Sequence, residues 1–337
     1  MPINKSTAEK IIKKLFNKDI YQESLQQIPD SQTWIAITKS DKGNKKLVCL
    51  SEDQSRLFTV LQAETEQQDT QVAAKLCALS DFNAQSIRIN VPWAMPTAMG
   101  TEGTSIGCGD RLGLATPGQI MAAKKRKVKP VLAQLAAKEV ALGSRSYRSV
   151  LDNATWGVIR MGYQDGWGAN ACELSDENEI AGVLALGYTT ITLDASGKLA
   201  TNIQELSDAE VSERYARLPE DFRSKLESSY LNVTFDIQEF GVARLPLCGS
   251  GGSFRYKAGM FKISFKPEQL RRLVLIYSEV IVFTAYIYKK YFATMPWPVD
   301  FELSLNNAAV ETTPQAALLI ANEMQRQGVK LTMFNPR

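Results

Sequence analysis

Hydrophobic positions in this chain follow two different rules, and the change comes near residue 105. Before it, short helical and strand-like pieces are mixed. MPINKSTAEKIIKKLF (1–16) spaces its apolar residues for an amphipathic helix, while LVCLSE (47–52) and IRINVP (87–92) read as strands between polar connections. After it, strand and helix alternate. VKPVLAQ (128–134) predicts a strand, YRSVLDNATWGVIRMGY (147–163) a helix, and GANACEL (168–174) a short strand. SDENEIAGVLALG (175–187) predicts a helix opened by Ser175 with Glu177 and Glu179 in its first turn, and YTTITLD (188–194) a β-branched strand. The rhythm breaks over about 200–265, where SDAEVSERYARLPEDFRSKLESSY predicts charged surface helices and LCGSGGSFRY (247–256) a flexible loop. It resumes with a helix over 267–292, the strand VDFELSL (299–305), a helix over 313–328 and the strand VKLTMFN (329–335).

That alternation is the mark of a parallel α/β sheet or barrel. The expected fold class is α/β, a TIM-barrel-like (β/α) architecture over 96–337 with an insertion at about 200–265, preceded by an α+β region over 1–95. About five strands alternate with helices where a closed barrel needs eight, so the barrel is expected to be incomplete at its C-terminal end unless the N-terminal strands complete it. The final strand would then have a bare outer face.

Three stretches invite a more specific reading. GCGDRLGLATPGQI (107–120) lacks both the Lys-Ser/Thr ending of a phosphate loop and the glycine spacing of a dinucleotide turn. Its Thr116 and Pro117 instead predict a helix start with Thr116 as N-cap, leaving Asp110 and Arg111 in the preceding loop to bind a polar group or pair with each other. Leu273 to Tyr288 is an apolar run between basic pairs, yet it is short for a membrane span and holds Ser278 and Glu279, so a buried core helix is expected. Lys124-Lys125-Arg126-Lys127 fits the C-terminal end of a helix, where cations are favoured.

Composition narrows the chemistry. With 337 residues, 45% of them hydrophobic, the chain has ample material for a packed core, and a net charge of +3 gives no electrostatic case for a nucleic-acid partner. Cys49, Cys77, Cys108, Cys172 and Cys248 show no C-x-x-C spacing, which argues against a disulfide framework or zinc knuckle and fits a reducing compartment. The N-terminus has no apolar signal core, so cytoplasm is the expected location and no membrane partner is expected. The absence of histidine matters most. It excludes Ser-His-Asp and Cys-His catalysis and every His-containing zinc site, leaving acid–base work to Asp, Glu, Cys, Lys or Tyr.

Taken in order, GDRLGLATPG (109–118), KPVLAQ (129–134), the run from VLDNATWGV to GYQDGWGA (150–169), ITLD (191–194), FELS (301–304) and TTPQAALLIANEM (312–324) resemble the tagaturonate epimerase family. The resemblance covers about residues 100–337. It implies a (β/α) barrel that interconverts the keto acids tagaturonate and fructuronate with a divalent metal, and it makes 109–118 an entrance loop. Asp110, Arg111 and Gln119 are then the candidate substrate-binding residues for a small sugar acid.

The chain departs from the family pattern at its histidines. Gln119 stands where the family has Pro-Gly-His, and GANACEL replaces Gly-Ala-Asp-Ala-Asp-His-Leu, which puts Cys172 at the base position and Glu173 at a ligand position. Lys198 aligns roughly with a further histidine, Ser304-Leu305-Asn306-Asn307 replaces Ser-Val-Asp-Glu, and Ala317 replaces the histidine of the next helix. The family also continues past Arg337 into a segment carrying more site residues.

The two keto acids differ at a carbon β to the ketone, which a metal-assisted retro-aldol cleavage and re-addition would reach. Without imidazole donors, Glu173 and Asp194 remain as the candidate metal ligands of an oxygen-rich site, with Glu302 and Cys172 as the candidate catalytic groups. Cys172 would act as a base only with a lowered pKa and is otherwise a packing residue. Glu302, a carboxylate within an apolar strand, is expected to be paired or to line the pocket. Three readings stay open: an isomerase using the remaining carboxylates, a non-catalytic sugar-acid-binding or regulatory protein, and an incomplete chain that needs a complementary chain or its own copies.

Overall fold

The computed structural model describes residues 2–40, 43–70, 72–244 and 253–337. The chain divides into two compact units, Met1–Leu193 with Thr294–Glu302, and Asp194–Ala293 with Leu303–Arg337.

In the first unit, β1 (Gln26–Gln27), β2 (Thr33–Ile37), β3 (Lys46–Ser51), β4 (Ala63–Asp69) and β5 (Val72–Ala78) form an antiparallel sheet in the order β1-β2-β3-β5-β4. Every residue of β2 is buried because both faces of the sheet are covered. Trp34, Ala36, Val48 and Leu50 pack on one face against Ala8, Ile11 and Ile12 of the helix Lys5–Phe16. Ile35, Ile37, Leu47 and Cys49 pack on the other against Ile87, Trp156 and Ile159. These strands therefore close their own sheet and do not complete the barrel.

The same unit carries a curled parallel half-barrel, consistent with the expected TIM-barrel-like α/β class. Its strands are β6 (Ser105–Gly107), β7 (Lys129–Ala136), β8 (Gly168–Leu174), β9 (Thr190–Asp194) and, after the second unit's excursion, β12 (Asp300–Ser304). Their order is β12-β9-β8-β7-β6.

The second unit holds the excursion. Helices Asp208–Ala216 and Glu220–Tyr230 match the charged helices expected there. Next comes an antiparallel pair, β10 (Phe235–Arg244) with β11 (Ser253–Ile263), which the loop reading missed. Residues 253–256 are strand, and the rest of that predicted loop, with Cys248, lies outside the described residues. Helix Pro267–Tyr291 buries Leu270, Leu273, Val274, Tyr277, Val280, Ile281 and Ala285 at helical spacing, as a core helix should. Among the described residues no helix is long and apolar enough to cross a membrane. The last strand, β13, is only Met333–Asn335, and within this unit Leu305 N donates to Asn335 O.

Other corrections concern local signals. Residues 87–90 belong to the helix Asp81–Asn90, capped by Ser80 accepting from Asn83 N, and Pro92–Ala94 form a 3₁₀ turn. The two isoleucines of IRIN imitate strand alternation, but Ala84, Ile87 and Val91 are the positions that meet the core. The helix at 116 begins at Thr116 itself, so its N-cap is Ala115, not Thr116; Ala115 has no side-chain acceptor, and Asp110, six residues upstream, accepts from Thr116 N instead. Asp176, not Ser175, caps Glu177–Leu186 by accepting from Asn178 N and Glu179 N. The basic run ends the helix Thr116–Arg126, as expected, with Lys127 left-handed at φ 54°.

Candidate functional site

Polar residues alternate with apolar ones along the half-barrel strands. In β9, Ile191 and Leu193 alternate with Thr190 and Thr192; in β12, Phe301 and Leu303 alternate with Asp300 and Glu302. Successive strand side chains point to opposite faces, so the aliphatic set faces one side and the polar set the other.

Two bulges shape that polar face. Register slips between Leu132 and Leu135 of β7 and between Ala171 and Leu174 of β8, where Ala133 (φ 56°) and Glu173 (φ 54°) take left-handed backbone. Such bulges bend a strand and re-aim the side chains beside them. Gln134 is accommodated because Gly107 on β6 has no side chain: a Cβ there would lie 1.9 Å from Gln134 Oε1.

A cluster spanning β7, β8, β9 and β12 results. The Thr192 hydroxyl lies 2.6 Å from Glu302 Oε2 and 3.3 Å from Asn170 Oδ1. It has one hydrogen to give. An ionised Glu302 takes it, whereas a protonated Glu302 donates to Thr192 and frees that hydrogen for Asn170. Burial raises the Glu302 pKa, the Thr192 hydrogen bond opposes the rise, and the Glu173 charge adds to it. Cys172 sits in the same cluster, beside Gln134 and Thr192. Burial above all, then the Glu302 charge, pushes its thiol up to about 12. At neutral pH that thiol keeps its proton, which does not suit the base position. Glu173 is only partly buried, and Lys138 Nζ is 3.5 Å from its Oε2.

The other candidate residues make contacts of their own. Gly109, Asp110, Arg111, Leu114, Leu135 and Glu139 line a cavity of about 580 Å³ in the first unit. Asp110 and Arg111 do not pair. Asp110 is buried and accepts from Leu114 N, Ala115 N and Thr116 N at 2.8–3.1 Å, while Arg111 Nε donates to Glu139 Oε1 at 2.7 Å. Gln119 Nε2 donates to Gly109 O at 2.7 Å, and its buried Oε1 has no hydrogen-bond partner among the described residues. In the second unit Asp194 accepts from Ser196 N at 2.8 Å and Asn307 Nδ2 at 2.9 Å, and Lys198 pairs with Glu279.

These donors do not fit a divalent metal. Among the described residues no three His, Cys, Asp or Glu side chains are gathered as ligands. In the half-barrel cluster Glu302 stands beside the neutral side chains of Thr192 and Asn170 and a buried thiol. Asn170, Thr192 and Gln134 were not legible as site residues, although the alternation in ANACEL and TITLD carried the signal.

The sequence profile of the tagaturonate epimerase family, UxaE, matches residues 21–244 and 252–337. The chain belongs to the tagaturonate epimerase family. Within it, the chain is 26% identical over 325 residues to the tagaturonate/fructuronate epimerase of Thermotoga maritima, covering 96% of this chain and 61% of that protein. It also resembles crystal structures of the fructuronate-tagaturonate epimerase UxaE from Cohnella laeviribosi at 32% identity. The form complexed with one glycerol aligns with a TM-score of 0.81 over 98% of this chain and 62% of that one, and the form with two glycerols with a TM-score of 0.82 over 99% and 62%. The chain thus spans somewhat over three-fifths of the length of these family members.

Proposed function

We propose that this chain is a sugar-acid-binding member of the tagaturonate epimerase family whose polar half-barrel cluster does not perform the metal-dependent epimerisation. The observation that carries this reading is the cluster's donor chemistry. Glu302, Thr192, Asn170 and Gln134 offer neutral or readily neutral hydrogen-bonding groups side by side, as a polyhydroxy ligand requires, and they lack a gathered set of anionic ligands. The ligand class is a keto hexuronate of the tagaturonate and fructuronate type, named by the family.

The runner-up reading is an isomerase with Glu302 as its acid–base group, and one observation favours it. A carboxyl whose pKa burial has raised is suited to proton transfer nearer neutral pH.

Calorimetric titration of the chain with tagaturonate and fructuronate, alongside NMR observation of the same mixtures with and without manganese, separates the two. Binding without interconversion is expected, and Thr192→Val should weaken it about tenfold, the ~1.4 kcal/mol of one hydrogen bond. Manganese-dependent interconversion that disappears in Glu302→Gln would establish the isomerase instead.

A further inference from the structure

A second cavity, of about 150 Å³, lies in the first unit apart from the half-barrel cluster. Its walls include Lys45, Asn153, Trp156 and Arg160, with Gly113 and Thr116 from the loop and helix start that follow Asp110. It is lined by two cations and by no acidic residue among the described ones.

Both cations lack the partner that surface cations usually find. Neither Lys45 nor Arg160 forms a salt bridge with a described carboxylate, whereas other cations of the same unit do: Lys46 pairs with Glu64, Arg88 with Asp152 and Arg111 with Glu139. Arg160 is held in place by stacking, its guanidinium carbon 4.2 Å from the Tyr21 ring centroid. Its Nε is buried with no hydrogen-bond partner among the described residues, and so is Nε1 of Trp156, a side chain 7% exposed. A buried N–H without an acceptor is costly, and two of them leave this wall of the cavity short of acceptors.

At Gly113 the wall leaves no room for a side chain. Gly113 has φ +72°, and a Cβ there would lie 2.5 Å from Asn153 Nδ2. The amide of Asn153 is a further polar group in the lining beside the cations.

We infer that this cavity binds a small oxyanion, a phosphate or a carboxylate, between Lys45 and Arg160. Charge-assisted hydrogen bonds from a guanidinium and an ammonium supply the affinity. Leu114 lines both this cavity and the larger one beside Arg111, so an anion here would also steady the loop between them.

Titration calorimetry of the intact chain at constant ionic strength, once with inorganic phosphate and once with gluconate, tests the site and tells the two anion sources apart. Saturable binding of either anion is expected, weakened at least tenfold in Arg160→Gln and several-fold in Lys45→Gln. Lys45 lies just before β3 and is only partly buried, so its variant decides the question even where Arg160→Gln, deprived of its stack on Tyr21, fails to fold. No saturable binding of either anion at tens of millimolar, or binding unchanged in both variants, would overturn the inference.

Discussion

Glu302 is the residue where burial and chemistry meet. Its carboxyl is half-buried in the half-barrel cluster, and burial raises its pKa above the ordinary glutamate range despite the hydrogen bond with Thr192. A group with a raised folded-state pKa contributes its stability fully below the unfolded-state value and loses it as pH rises through the folded-state value. Glu302→Gln removes the ionisation while keeping an oxygen that accepts from Thr192. Its melting temperature should therefore match the wild type near pH 4 and exceed it at pH 8. Thermal unfolding at the two pH values checks this, and an equal offset at both would refute it. Cys172, beside it, stays protonated until strongly alkaline pH because the same burial and the Glu302 charge oppose its ionisation.

At the scale of elements, the half-barrel strands and the helices between them were legible because their apolar residues keep a period of 2 or of 3.6 over several repeats. The failures came where the periodic stretch was short. IRINVP offers two alternations, too few to outweigh the Ser80 cap and the buried positions Ala84, Ile87 and Val91. Capping shows the same limit. Thr116 and Pro117 fit a helix start locally, yet Asp110 supplies the acceptor from six residues away, with Leu114 N, Ala115 N and Thr116 N all pointing at its carboxylate. Asp110→Ala should cost about 1–2 kcal/mol, the usual worth of a helix cap. A Thr116→Val variant should cost less, because Thr116 adds only a 3.3 Å contact to the same carboxylate. Urea unfolding of the two variants ranks them, and the reverse order would restore Thr116 as the cap.

At the scale of the whole molecule, the first unit depends on one helix, Tyr147–Arg160, for two jobs. Its Trp156 and Ile159 cover the antiparallel sheet, while Asp152 makes a buried ion pair with Arg88 of Asp81–Asn90. Arg88 Nη1 lies 2.7 Å from Asp152 Oδ1 and 2.9 Å from Thr155 Oγ1, and both charged side chains are below a tenth exposed. Burial pushes the Asp152 pKa up and Arg88 opposes it, so removing Arg88 would strand a desolvated carboxylate. Arg88→Met should destabilise the chain by ~3–5 kcal/mol, and adding Asp152→Leu should recover most of that loss. A double-mutant cycle in urea tests it, with no recovery counting against a buried-charge penalty.

What the sequence determined by itself was the kind of chain this is: the α/β class, the alternating strands and helices from about residue 105, the core helix at 267–291 and the family, because each rests on local periodicity or on ordered blocks. Tertiary structure alone decided the site. Gln134, Asn170, Thr192 and Glu302 come from four separate strands, and only sheet order and the paired bulges of β7 and β8 bring them together. Protonation states were likewise out of reach, since desolvation depends on what surrounds a group in space. The partners of Asp110 and Arg111 were out of reach for the same reason: Asp110 accepts from the backbone at a helix start, and Arg111 donates to Glu139, 28 residues on.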